Sequence, residues 1–261
     1  MSTDHLSAGL PEAAVAFTTS PWKHALVEYR LRGPLESCGI RLIQGNEYEQ
    51  VAVERVLQAE LVVIQRDFPR YWQAYRQVIQ AARAQGKPIL YDLDDLLFEL
   101  PEDHPDRGIH YYTAALVPML HAASEADGVT ASTPLLRDYL APLNAHAWLA
   151  PNYLNERLWA TSEPPSENAE RPVVIGYMGG GSHVPDLEYI APVFIRLLER
   201  YPGRLCLRFW GAEPPQALRG RTQVEWQPLS QPDYRKYIDY FSRQNCDILV
   251  APLKPSLFNR C

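Results

Sequence analysis

Short apolar runs alternate along the chain with amphipathic stretches of helical period. AAVAF (13–17) is a short apolar run, and the Thr-Thr-Ser-Pro after it is a turn and helix-start signal. Residues 22–38 carry helical spacing, which Gly33-Pro34 must break or kink. GIRLI (39–43) is strand-like. AELVVIQR (59–66) is a continuous apolar run bounded by polar residues, the pattern of a buried strand. YWQAYRQVIQAARAQG (71–86) reads as an amphipathic helix closed by Gly86. KPILYD (87–92) is the next strand, 111–126 a helix, DGVTAST (127–133) a strand, LLRDYL (135–140) a short helix, and HAWLAPN (146–152) the last strand of the series.

TSEPPSENAERP (161–172), rich in Pro, Ser and Glu, has the composition of a linker. A second series follows it. VVIGYMGGG leads into a helix over 184–200, then come LCLRFWG (205–211), QVEW (223–226), a helix over 233–243 and DILVAPL (247–253). The alternation predicts parallel β-α units with helices on both sheet faces, hence an α/β protein. The expected organisation is a loose tail over 1–12, one domain over 13–160, a linker over 161–172, and a partial second domain over 173–261. Such sheets bind ligands at the carboxyl ends of their strands. In the first series those ends carry Thr18 to Ser20, Gln65-Arg66, Asp92 to Asp95 and Ser132-Thr133.

Composition narrows the field. A net charge of −6 argues against a nucleic-acid partner. Cys38, Cys206, Cys246 and Cys261 form no CxxC pair, which points away from zinc and disulfide frameworks and toward a reducing compartment. No apolar stretch approaches the roughly 20 residues of a membrane span. The expected location is the cytoplasm, with peripheral membrane contact left open.

Two motifs carry chemistry. GYMGGGSHVPDL (176–187) puts Gly179, Gly180 and Gly181 between a strand and a helix, where backbone N–H groups can approach a phosphate. It lacks the Lys-Ser/Thr of a Walker loop and the spacing of GxGxxG. Ser182 and His183 lie in the same turn, either facing the ligand or merely capping the helix. YDLDDLLFELP (91–101) places Asp92, Asp94 and Asp95 at a strand end. Three readings stand: a divalent-metal site, a clamp on sugar hydroxyls or a cationic partner, and a polar helix start. Arg66 can pair with these aspartates or meet an anionic ligand. Arg30 is a weaker candidate, and Lys254 follows the last strand, where it either contacts a phosphate or stands solvated like an ordinary loop lysine. No Ser-His-Asp or Cys-His pattern stands in a recognisable context.

Taken in order, YRLRGPL, VVIQR, ILYDLDDLLFELP, ADGVTASTPLL, APNYLNERLW, IGYMGGGSHVPDL and ILVAPLKPSLFNRC resemble family-4-like glycosyltransferases of bacterial polysaccharide clusters, from about residue 15 to the end. The resemblance implies the GT-B fold of two Rossmann-like domains, with the active site in the cleft between them. It implies retaining transfer of a sugar from a nucleotide-sugar donor to a glycan or lipid-linked acceptor, with no metal and no other cofactor. By that analogy Gly179, Gly180, Gly181, Ser182, His183, Lys254, Phe258 and Asn259 would face the donor. Arg66, Asp92, Asp94 and Asp95 would line the acceptor side, with no catalytic residue named. Family members continue past FNRC with a lysine and a helix carrying two glutamates. A chain ending at Cys261 is therefore expected to be a fragment, or to build its donor site differently, and to transfer weakly or not at all.

Two other classes compete. One is a non-catalytic nucleotide-sugar or glycan-binding module. The other is a receiver-type signalling domain, although its acidic residues spread over two strands rather than clustering after one.

Overall fold

The computed structural model describes residues 9–159, 171–229, 233–244 and 246–261. Residues 1–8 of the tail and 161–170 of the linker segment lie outside the described residues. The chain divides into two compact units. One holds the described residues of Met1–Phe98 and Tyr112–Asn155; the other holds those of Glu99–Tyr111 and Glu156–Arg260.

The first unit contains strands β1 (Ala13–Phe17), β2 (Arg41–Gln44), β3 (Asn46–Glu47), β4 (Gln50–Val51), β5 (Leu61–Gln65), β6 (Ile89–Leu93), β7 (Gly128–Ala131) and β8 (Ala147–Leu149). Six of them form a sheet in the order β2-β1-β5-β6-β7-β8, every neighbouring pair parallel. All five residues of β1 are buried, as a strand covered on both faces requires. β3 and β4 make a separate antiparallel hairpin, which the periodicity did not predict.

Helices α1 (Ala25–Val27) and α2 (Gly33–Ser37) flank a π-helical turn over Glu28–Arg32. Gly33-Pro34 therefore widens the helix instead of ending it. Pro34 has no N–H for the carbonyl four residues back, and the Gly33 N–H reaches Glu28 O, five residues back. Helix α3 (Trp72–Ala84) ends at Gly86, whose φ of 61° is left-handed. After it come the single turn α4 (Pro105–Gly108), α5 (Leu116–Glu125) and α6 (Pro134–Leu140). The Thr133 hydroxyl caps α6 by accepting from Leu136 N–H at 3.1 Å.

In the second unit β9 (Val173–Gly179), α7 (Val184–Arg200), β10 (Leu205–Gly211), β11 (Val224–Gln227), α8 (Tyr234–Phe241) and β12 (Ile248–Leu249) follow in turn. The sheet order is β11-β10-β9-β12, again all parallel. Leu187, Phe194 and Leu198 of α7 pack on Leu207 and Phe209 of β10. The last strand is shorter than the 247–253 expected: its ladder reaches Val250, whose N–H donates to Gly176 O at 3.0 Å, and Pro252 beyond it has no N–H to carry the pairing on.

Strand order reverses between β1 and β5 in one sheet and between β9 and β12 in the other. Those reversals open crevices at the carboxyl ends of the strands, where α/β sheets take their ligands. No helix among the described residues is long and apolar enough to cross a membrane.

One close approach sets the start of the hairpin. Gly45 N–H donates to Ala16 O at 2.8 Å, and a Cβ at Gly45 would meet the Phe17 ring at 2.6 Å and Ala16 O at 2.7 Å. Gly45→Ala is expected to lower stability by about 1–3 kcal/mol, the usual cost of overpacking a rigid contact. A urea titration reads this directly, and an unchanged midpoint would refute it.

Candidate functional site

Each unit gathers polar residues at the carboxyl end of its sheet. In the first unit Asp92 and Arg30 form an ion pair whose side chains are only 4% and 2% exposed. Arg30 Nη2 donates to Asp92 Oδ1 at 2.5 Å and Nε to Oδ2 at 3.2 Å. Thr130 Oγ1 and Gln65 Nε2 also donate to this carboxylate, at 2.7 and 3.2 Å. Arg30 Nη1 donates in turn to Ala150 O and to Asn152 Oδ1. Burial pulls the Arg30 pKa down, but Asp92, helped by the Asp94 and Asp95 charges, more than offsets it and the net shift is upward. Asp92 is thus held inside the fold, by the arginine that ranked as the weaker candidate.

Arg66 serves the other two aspartates. Its Nη1 lies 3.1 Å from Asp94 Oδ2 and 3.1 Å from Asp95 Oδ2, and Nη2 donates to Tyr112 OH at 3.2 Å. Its backbone is left-handed, with φ 49°, and is fastened on both sides: Arg66 N–H donates to Asp92 O, and Tyr91 OH donates to Arg66 O. Asp95 is 43% exposed, whereas Asp94 is buried and its Oδ1 has no hydrogen-bond partner among the described residues. Burial, against the pull of Arg66 and helped by the Asp95 and Asp92 charges, lifts the Asp94 carboxyl to about 7. Among the described residues no three His, Cys, Asp or Glu side chains are grouped to hold a metal ion.

The second unit brings the glycine turn and the 254–259 segment together. Gly179 ends β9 opposite Gly211, whose φ of 89° and whose contact with Gly179 O leave no room for a Cβ. A Cβ on Gly179 itself would strike the Tyr177 hydroxyl. Gly180 and Gly181 differ. Both are exposed, neither has a positive φ, and a Cβ on Gly181 would meet nothing within 4 Å. Ser182 and His183 complete a single turn that runs into α7.

The residue that joins these pieces is Asp186, which motif reading passed over. Its buried carboxylate accepts from Lys254 N–H at 2.7 Å and Asn259 Nδ2 at 2.9 Å, both on Oδ1, while Oδ2 lies 2.9 Å from His183 Nδ1. The available signal was the spacing His-x-x-Asp in the first turn of a helix, which sets the two side chains on one face. Burial, then the Asp186 charge, pushes the Tyr177 hydroxyl up to about 12. The Lys254 ammonium pairs with Asp103, and the Phe258 ring stands edge-on to His104 with centroids 5.2 Å apart. The Asp103 contact raises the Lys254 pKa, and both partners are about half exposed, so the pair is screened by solvent.

No family model matches the chain, and no curated protein matches it. Solved structures do. An alpha-glucosyltransferase in complex with UDP gives a TM-score of 0.57 at 7% identity, over 92% of this chain and 73% of that one. An alpha-glucosyltransferase in complex with UDP-glucose and DNA containing an abasic site gives 0.57 at 8% identity, over 91% and 71%. At such identities the likeness speaks of fold: two Rossmann-like parallel β-α units, the GT-B type.

Three outcomes follow for the first unit. Arg30→Ala leaves Asp92 buried without its cation and is expected to cost about 3–5 kcal/mol in a denaturant titration. Arg66→Ala, beside the half-exposed Asp95, should cost less. The Asp94 carboxyl titrates near 3.8 when unfolded and near 7 when folded, so the folded state binds the extra proton. Its stabilising effect is full below about 4 and fades as pH rises to about 7. Asp94→Asn should flatten the stability profile across that window, and identical slopes for variant and native chain would contradict the assignment.

Proposed function

We propose that the chain is a nucleotide-sugar-dependent glycosyltransferase whose second unit holds the donor nucleotide. The carrying observation is Gly180 and Gly181, where the fold demands glycine neither for backbone conformation nor for packing. A surface kept clear of side chains at the start of a 17-residue helix suits a diphosphate approaching backbone N–H groups. This turn lies at the carboxyl end of β9, beside the strand-order reversal. The likeness in fold to an alpha-glucosyltransferase in complex with UDP supports a nucleoside diphosphate as the ligand.

In sugar transfer the bond between the anomeric carbon and the diphosphate oxygen breaks, and negative charge grows on the leaving phosphate. N–H groups fixed in advance stabilise that charge without reorganisation. The donor contacts fall to Gly179, Gly180, Gly181, Ser182 and His183, with Lys254, Phe258 and Asn259 in the segment tied to Asp186. On the first unit Arg66, Asp94 and Asp95 would take the acceptor, a glycan or lipid-linked sugar whose hydroxyls donate to carboxylate oxygens. Asp92 serves there as a structural anchor. The reading includes retention at the anomeric carbon and no metal requirement, with N–H groups and cations meeting the diphosphate charge.

Calorimetry with UDP and GDP, with and without Mg²⁺, tests this. Nucleotide binding that needs no Mg²⁺ is expected, and Gly181→Val should weaken it roughly tenfold or more while melting at the native temperature, since its side chain enters open space. Absence of binding by both nucleotides would refute the reading. Binding without turnover of any nucleotide-sugar would favour the non-catalytic module.

A further inference from the structure

We infer that Asp186 is a positioning residue that makes His183 a proton-linked ligand of the donor diphosphate; the inference rests on the nucleotide site proposed above. Asp186 is 5% exposed, and its carboxylate meets three partners from two segments. Two of them, Lys254 N–H and Asn259 Nδ2, share Oδ1, which leaves Oδ2 to His183 Nδ1.

An oxygen of a carboxylate can only accept, so Nδ1 must carry the proton. The second ring nitrogen, Nε2, lies on the far side of the imidazole from Asp186, on a side chain 40% exposed. In the neutral ring Nε2 is therefore bare and offers nothing to a phosphate oxygen. In the imidazolium it becomes a charged donor. A fully ionised diphosphate can only accept, and so meets this nitrogen favourably in one protonation state alone. The same carboxylate holds the 254–259 segment against the glycine turn, so segment and ring are set by one group. The titratable and charged groups on the neighbouring elements include Tyr177 on β9, Lys254 and Arg260 on the segment tied to Asp186, and Asp103, His104, Asp106 and Arg107 on the stretch around α4. Lys254 and Asp103 neutralise each other. His104 Nδ1 accepts from Asp106 N–H at 3.2 Å, which disfavours a proton at that nitrogen.

The test is calorimetric binding of UDP and of uridine between about pH 5.5 and about 8.5, the span in which an imidazole titrates. The probes are the native chain, His183→Gln and Asp186→Asn. Repeating the series with UDP-glucose, whose diphosphate has no group that titrates in this range, separates titration of the ligand from that of the protein. Relative to His183→Gln, the native chain should bind UDP roughly tenfold tighter at low pH and fall to its level or below it at high pH, where a bare Nε2 cannot match the amide donor of Gln. Uridine should show no difference. In Asp186→Asn the amide can donate to Nδ1, moving the neutral ring's proton to Nε2, so UDP binding should persist at high pH. Parallel UDP profiles for native chain and His183→Gln, or equal losses for uridine and UDP, would overturn the inference and leave the nucleotide site standing. Failure of the native chain to bind UDP or GDP at any pH would overturn both.

Discussion

A buried ion pair governs the first unit. Arg30 and Asp92 are almost completely removed from water, and burial of two charges costs several kcal/mol per ion unless every lone pair and proton finds a partner. The surroundings come close to that condition. Gln65 from β5 and Thr130 from β7 complete the carboxylate, and Ala150 O and Asn152, just beyond β8, take both hydrogens of Arg30 Nη1. One pair thus links the first helical segment to the ends of four neighbouring parts of the sheet. The π-helical turn belongs to the same requirement: it carries the helix past Pro34 and includes Arg30.

With Asp92 spent on structure, Asp94 and Asp95 are the carboxyl groups of that strand end left to the acceptor proposed above. Their environments differ. Asp95 is half exposed and solvated, while Asp94 is enclosed, has one oxygen without a hydrogen-bond partner among the described residues and holds a proton far more tightly than an ordinary carboxyl. Neighbouring carboxylates driven apart in this way can take different roles, one charged and one a proton carrier. Arg66, locked in a left-handed backbone conformation, bridges the two.

The second unit works by the same economy of buried charge. Asp186 is a helix-start carboxylate, a placement favoured by the helix dipole. Its two oxygens are used on groups from outside the helix, and this ties a proline-rich, non-repetitive segment to the glycine turn. Without such a tie the stretch after β12 would have few backbone partners, since β12 pairs over only two residues.

Much of this was legible in the chain. Apolar runs such as LVVIQ and LCLRFWG can be satisfied only between helices in a parallel sheet, and the strands stand within a few residues of their expected places. Gly179 to Gly181 announced a turn between strand and helix, and the aspartates announced a polar strand end. Pairing was legible only for Arg66, which ends the strand beside the aspartates it meets. Arg30 lies 62 residues from Asp92, and Asp186 lies 68 from Lys254; no local period records contacts at such separations. The sequence by itself determined the period of each element and the kind of side chain at each strand end, because both follow from neighbours along the chain. The tertiary structure decided which aspartate is sealed by an arginine, which keeps a proton, and which holds two loops together. Those outcomes depend on desolvation and on partners that only the folded sheet brings within hydrogen-bond distance.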